Sequence, residues 1–366
     1  MAENPVPDRK TFASRRQRLI GQLGGGSILV SNLVNVRYLT GFSGSNAFLL
    51  INDSNTLLLT DGRYVDQVAT ECPDLNTRIR DVDSTMLVLV ADALKDMGVK
   101  QCQIESDSMS RALWRDLSEA TKNETELQDS SGVIENLRAI KDDVELDLIR
   151  RSVAINEAAL QATLANYSSA WTELEFSWNL ESEIRQRGGE GFSFDAIVAA
   201  GPSSALPHYH PGSAVIAEHS LLLVDWGTSF QGYASDITRV VAIGEVSDEI
   251  RTIQQVVSDA KQAAMNAVCD GAELTAVDTA ARKLIADAGY GDHFNHGLGH
   301  GFGLEIHETP FMSPAFTGQL KAGMVITIEP GIYIPQIGGV RLEDDILVTA
   351  DGYERLNLLA DDFLTL

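Results

Sequence analysis

The stretch "HSLLLVDWGTSFQGYASDITRVVAIG" (219–244) holds two apolar runs around a glycine-containing turn. Runs of this kind joined by a short turn form a β-hairpin. Each run carries an acid: Asp225 ends the first, and Asp236 stands in the returning strand. With the turn centred on Phe230 and Gln231, these acids fall directly opposite each other. Opposed residues project from one face, with Cβ atoms about 5 Å apart. "GMVITIEPGIYIPQIGGVRLEDDILVT" (323–349) repeats the form, with Glu329 and Glu343 flanking a turn centred near Gln336. Four carboxylates gathered on half-buried strands repel one another and lose hydration. Positive charge is the remedy, and a pair of divalent ions 3.5–4 Å apart, as in two-metal hydrolytic sites, supplies it (roughly that spacing). A single acid near a strand end is ordinarily a solvated turn residue. The signal here is the repetition, together with the histidines that lie between the hairpins.

Those histidines stand in "HGLGHGFGLEIHETP" (296–310), three of the chain's seven. His307 and Glu308 are adjacent, but no second histidine follows at the spacing of a helical zinc motif. Glycine at every other position from Gly297 to Gly303 argues against a helix. In an extended segment His296 and His300 share a face with Phe302 and Leu304. The glycines then line the other face, where a second backbone can approach closely. The segment lacks the GK[ST] end of a Walker loop and the acidic residue of a dinucleotide site, so it is no phosphate loop.

Around these segments, 249–268 and 275–289 read as helices, and the C-terminal region is a sheet-plus-helices unit of the α+β kind. The first third alternates strand-like runs ("SILVSN", 27–32; "AFLLIN", 47–52; "TLLLTD", 56–61) with a helix over 85–98 and a further strand after it. That alternation predicts an α/β domain with a substantially parallel sheet. The polar stretch "TKNETELQDSSG" (121–132) is the predicted boundary, giving domains 1–132 and 133–366. A long helix over 140–167 opens the second.

Length and composition set the outer limits. A chain of 366 residues with 44% apolar residues accommodates two domains with sizeable cores. A net charge of −24, with 52 acidic residues spread along the chain, disfavours nucleic acid and anionic membranes as partners. No apolar run reaches the ~18–20 residues of a membrane span. The N-terminal "MAENPVPDRKTFASRRQRL" is polar, without a signal-type apolar segment, and reads as a short disordered lead. Three scattered cysteines, Cys72, Cys102 and Cys269, fit reduced thiols in a cytoplasm.

Asp225, Asp236, His300, Glu329 and Glu343, in that order, resemble the five metal ligands of the pita-bread metallopeptidases. "VDWGTSFQGYASDITR", "HGLGHGFGLEIHETP", "IEPGIY" and "GGVRLEDDILVT" are similar to the aminopeptidase P/prolidase branch and span most of 195–350. "IVAAGPSSALPHYHPG" (197–212) matches that branch too, and "VRYLTGFSGSNAFLLI" with "LLLTDGRY" resembles its non-catalytic, creatinase-type N-terminal α/β domain.

The resemblance implies that Asp225 binds one metal, Asp236 and Glu343 bridge two, and His300 with Glu329 completes the second. An oxygen-rich set of this kind favours Mn(II), with Co(II) or Zn(II) as alternatives. It also implies a hydroxide between the ions as nucleophile and Glu329 as the proton-handling base. His208 and His307 then face the substrate, and His296 walls the pocket for the residue after the cut bond. Arg341, two residues before Glu343, meets the substrate or braces the site. Thr238 is a hydroxyl supporting the ligands, and Phe194 is either a wall for a proline ring or a core aromatic. His210 takes no role, and His219 and His293 read as surface residues.

The implied substrates are proline-containing peptides cut at the Xaa-Pro bond. The segment from His307 to Glu329 contains no arginine to hold a dipeptide carboxylate. This favours an Xaa-Pro aminopeptidase, with an Xaa-Pro dipeptidase (prolidase) as alternative. A metal-free binding module and a creatinase-like hydrolase on the same fold are more remote readings. The branch further implies a homodimer.

Overall fold

The computed structural model describes residues 8–366, and the contacts divide the chain between Arg138 and Ala139. Arg138 belongs to the first unit through a buried hydrogen bond from its Nη1 to Asn35 Oδ1 (2.7 Å). The polar stretch 121–132 holds Glu126–Ser130, the edge strand of that unit's sheet.

The first unit is a six-stranded sheet in the order Asn76–Arg80, Thr56–Asp61, Ala47–Ile51, Ile28–Val30, Gln101–Glu105, Glu126–Ser130. Three of its five pairings are parallel. The strands at 28–30, 47–51 and 56–61 pair antiparallel, so the substantially parallel sheet also carries an antiparallel hairpin. The short turn around Asn52–Asn55 allows that hairpin, whereas parallel pairs need a crossover. Residues 1–7 of the polar lead lie outside the described residues. From Arg9 onward the lead is not a disordered segment but a helix, Arg9–Leu23, capped by Asp8. Leu19 and Leu23 bury on one face, and the buried Arg15 and Arg16 satisfy the carbonyls of Tyr38 and Leu39. Few apolar residues made this helix look like a lead, and two buried arginines hold it in place.

The second unit begins with the long helix Asp143–Ala165, closed at its start by a capping box between Asp142 and Glu145. With Glu173–Gln186 it packs Leu148, Val153, Phe176 and Leu180 against Val224, Trp226 and Ile237. A second helix pair, Asp248–Met265 and Leu274–Asp287, packs Ile253, Val257, Val277 and Ile285 against Ile326, Ile328 and Ile346. The sheets between are mostly antiparallel: a four-stranded one built on Leu221–Trp226 and Ile237–Ala242, and a five-stranded one built on Val325–Ile328 and Asp344–Thr349. Strand alternation does the sorting. Val224 and Trp226 enter the core, which turns Asp225 to the opposite face. No described helix is long and apolar enough to cross a membrane.

Candidate active site

The first carboxylate hairpin turns at Gln231–Gly232, not at Phe230–Gln231. Both central residues have positive φ, 50° and 81°, as a two-residue hairpin turn that matches the strand twist requires. The turn is one residue later than expected, and the ladder therefore shifts by two. Asp225 pairs with Thr238, not with Asp236. A two-residue shift preserves the side on which each residue projects, so Asp225 and Asp236 still share a face, one diagonal step apart. In the second hairpin both ladder segments, Val325–Ile328 with Asp344–Leu347 and Gly331–Ile334 with Gly338–Arg341, keep one register. Continued between them, it sets Glu329 opposite Glu343.

The histidine segment supplies the short strand Gly299–Gly301, with an irregularity between His300 and Gly301. The alternation expected for 296–304 therefore breaks: His300 turns to the cluster while Phe302 is buried in the core. The glycines do allow close packing of backbone. A Cβ on Gly299 would lie 2.1 Å from Thr327 O, and one on Gly301 2.5 Å from Thr309 O.

Asp236, His300 and Glu343 bring ligand atoms within 4.8 Å of one another. His300 Nε2 lies 3.7 Å from Asp236 Oδ2 and 3.5 Å from Glu329 Oε1. Its Nδ1 is 3.1 Å from the carbonyl of Gly301, which fixes the proton there and leaves Nε2 a free lone pair toward the carboxylates. Asp225 Oδ1 is buried without a hydrogen-bond partner among the described residues. Burial and the facing Glu343 carboxylate push Asp236 well above the ordinary carboxylate range, and burial with Glu329 does the same to Glu343. Burial raises Glu329 to about 8, against the opposing pull of Arg341. An orphaned carboxylate oxygen, one oriented imidazole and acids that resist ionising together fit a pair of hard divalent cations.

Arg341 is buried, and each of its three nitrogens is engaged. Its Nη2 donates to Asp225 Oδ2 (2.6 Å), Nε to Thr238 Oγ1 (3.0 Å) and Nη1 to Tyr333 Oη (2.7 Å). The Thr238 hydroxyl in turn donates a hydrogen bond to Glu343 Oε2 at 2.7 Å. His296 donates from Nδ1 to Gly297 O (2.8 Å) and accepts the Tyr333 hydroxyl at Nε2 (3.0 Å). Burial, with Arg341 nearby, drops it to about 3, so its ring is neutral. His300 falls to about 4 through burial and the adjacent His307, whose ring centroid is 4.5 Å away. Burial also lowers His307.

The four acids and His300 of the cluster, with His208, His296, His307, Arg341 and the half-buried Phe194, line one cavity of about 510 Å³, whereas Thr238 and Tyr333 stand behind it. His210 lines it as well, whereas His219 and His293 are half-buried elsewhere. Three supporting residues escaped the sequence reading. Thr327 Oγ1 accepts from His300 N (3.1 Å) and donates to Glu329 (3.3 Å), and Tyr333 joins Arg341 to His296. The two-residue parity that singled out Thr238 applies equally to both, counting from Glu329. Glu173 is fully buried and accepts from Ala200 N (2.8 Å), Tyr209 Oη (2.8 Å) and Gly212 N (2.9 Å), tying down the loop that carries His208. As an acid in the first turn of a helix, it resembles any dipole-compensating residue in the sequence.

Behind the cluster, Arg239 brackets two strands. Its Nη1 donates to Thr238 O (2.8 Å) and Glu343 O (2.6 Å), while Nε and Nη2 reach Ala360 O and Leu359 O at 2.9 and 2.8 Å. Asp344 beside it is fully buried, yet Lys261 and Arg239 hold it well below the usual carboxylate range.

Residues 147–350 match the model of metallopeptidase family M24, and residues 14–140 match that of the Creatinase/Prolidase N-terminal domain. An Xaa-Pro dipeptidase of Pyrococcus horikoshii is 34% identical over 333 residues, which cover 90% of this chain and 92% of that protein. Among solved structures, an Xaa-Pro dipeptidase from Bacillus anthracis has a TM-score of 0.91 at 34% identity, covering 98% of this chain and 100% of its own. An X-Pro aminopeptidase from Thermotoga maritima has a TM-score of 0.89 at 33% identity, covering 96% and 100%. The chain, with its creatinase-type first domain and its carboxylate-lined cavity, belongs to metallopeptidase family M24.

Proposed function

We propose that this peptidase removes the N-terminal residue from peptides whose second residue is proline, as an Xaa-Pro aminopeptidase. In this reading Asp225, Asp236, His300, Glu329 and Glu343 hold two divalent ions. Four carboxylates to one imidazole favour Mn(II), which Co(II) or Zn(II) can replace. When bound, the ions activate water and polarise the scissile carbonyl.

The remaining work falls to the chain. Arg341 and Thr238 hold Asp225 and Glu343 in place. Glu329 takes the proton of the attacking water and returns it to the proline nitrogen as the bond breaks. His307 and His208 line the cavity as donors to the peptide and to its tetrahedral oxyanion. His296, with both ring nitrogens engaged, is a wall and not an acid or base.

Relatives of similar likeness carry both the dipeptidase and the aminopeptidase name. One observation favours the aminopeptidase: among the described residues, no lysine or arginine other than Arg341 lines the cavity. Each of the three Arg341 side-chain nitrogens already donates to Asp225, Thr238 or Tyr333. A dipeptide would set its carboxylate inside this acidic cavity unpaired, whereas a longer peptide carries that charge outside. Hydrolysis of Gly-Pro and Gly-Pro-Pro by the Mn(II)-loaded protein tests the reading. Preferred cleavage of Gly-Pro-Pro is expected, and preference for Gly-Pro would overturn it. A homodimer and a cytoplasmic site complete the proposal. The first is checked by light scattering, and the second is in keeping with the unpaired Cys72, Cys102 and Cys269.

A further inference from the structure

Two aromatic rings stand at the cavity without a place in the core. Phe311 lies on the strand Glu308–Met312, directly across from His300, and the burial of Pro310 and Met312 turns it to the cavity side. Phe316 stacks beyond it, with ring centroids 5.3 Å apart and planes tilted by 31°. Neither ring packs into the hydrophobic clusters of this unit. Phe316 is 48% exposed, yet its backbone is set by a tight turn. Its N–H donates to Ser313 O (3.2 Å), Pro314 occupies the second position, and Ser313 Oγ accepts from Ala315 N (3.2 Å). Proline at that position pre-sets the turn, so an exposed apolar ring is displayed at little ordering cost.

Displaying such a ring to water brings the fold no burial. It acts only when something apolar covers it. From the proposed function, an enzyme that removes one residue encloses the N-terminal end of its substrate. Whatever follows the proline must leave through the mouth of the cavity. We infer that Phe311 and Phe316 form a subsite for the side chain of the third residue of the peptide, selecting apolar and aromatic residues there. Asp195, exposed in the lining of the same cavity, adds a negative charge that disfavours an acidic third residue.

This inference rests on the aminopeptidase reading, and the test separates the two. Ala-Pro-Phe, Ala-Pro-Leu, Ala-Pro-Ala, Ala-Pro-Asp and the dipeptide Ala-Pro are compared by kcat/KM with the Mn(II)-loaded protein. The expected order is Phe and Leu above Ala, and Ala above Asp, with about tenfold between Phe and Ala, the scale of a hydrophobic-pocket preference. In Phe316→Ala the Phe-to-Ala ratio falls to within about twofold, and Phe316→Leu keeps an intermediate ratio. Cleavage of all four tripeptides at one rate, or a ratio unchanged in Phe316→Ala, overturns the subsite and leaves the aminopeptidase reading standing. Cleavage of Ala-Pro alone overturns both.

Discussion

Arg341 grips Asp225 at 2.6 Å, and the same guanidinium is fixed on its other edges by Thr238 and Tyr333. A planar fork with fixed donor directions can set a carboxylate, a hydroxyl and a phenol at once, which an ammonium cannot. The pair is buried, with the arginine side chain 3% exposed. Removing one member strands the other. In Arg341→Ala, chemical unfolding is expected to show a loss of about 3–5 kcal/mol. Arg341→Lys recovers only part of it. A loss below about 1 kcal/mol in the alanine variant would show that the grip contributes little.

Asp236 sits between His300 and the Glu343 side of the cluster, and its backbone N–H donates to Asp345 Oδ2 at 3.2 Å. Asp236→Ala keeps that backbone bond and removes the carboxylate. Activity on an Xaa-Pro peptide should fall on the order of 10³-fold or more, with an unchanged circular dichroism spectrum. A variant that retains activity contradicts the ligand assignment.

Proton release should accompany metal binding. Burial lifts Glu329 from an ordinary 4.5 to about 8, so without metal the native state holds a proton there that the unfolded chain has lost. The sign follows: between those two values rising pH destabilises the metal-free fold, and a bound cation relieves the effect. At pH 7 ion binding must displace that proton. Calorimetric titration with Mn(II) in buffers of different ionisation enthalpy should report net proton release, and affinity should weaken as pH falls from 8 toward 6. Proton uptake, or affinity independent of pH, would refute this account.

Gly299 leaves no room for a side chain, because a Cβ would sit 2.1 Å from Thr327 O. Gly299→Ala must push the strand carrying His300 away from the one carrying Thr327 and Glu329. A loss of roughly 3 kcal/mol or more is expected, at the upper end for overpacking. Gly352→Ala is the control, since nothing lies within 4 Å of its added methyl. Equal stability of the two variants would remove the close-approach argument.

Much of the site was legible because strand parity is simple. Asp225 and Asp236 share a face whether the turn centres on Phe230–Gln231 or on Gln231–Gly232, since the error moved the ladder by an even number. The same parity would have yielded Thr327 and Tyr333. The break at His300 was not legible, because an irregular pairing depends on the partner strand and not on the segment's own residues. Glu173 was hidden for a related reason: its three donors come from positions 27 to 39 residues away. In the first unit, the helix Arg9–Leu23 was missed because buried arginines did work that apolar residues usually do.

The bracket built by Arg239 and Lys261 gives the segment from Asn357 to Asp361 a purpose that its place in the chain conceals. Lys261 pairs with Asp361 at 2.6 Å, Arg355 reaches the same carboxylate at 3.0 Å, and Asn357 bonds Asp344 at 2.8 Å. These residues stand behind the strand bearing Glu343 and touch no substrate. A protein trimmed before Asn357 would keep every acid and histidine of the cavity and lose the wall on which one of them leans. Damage to this catalyst can therefore arrive from a stretch that no survey of its reactive groups would think to guard.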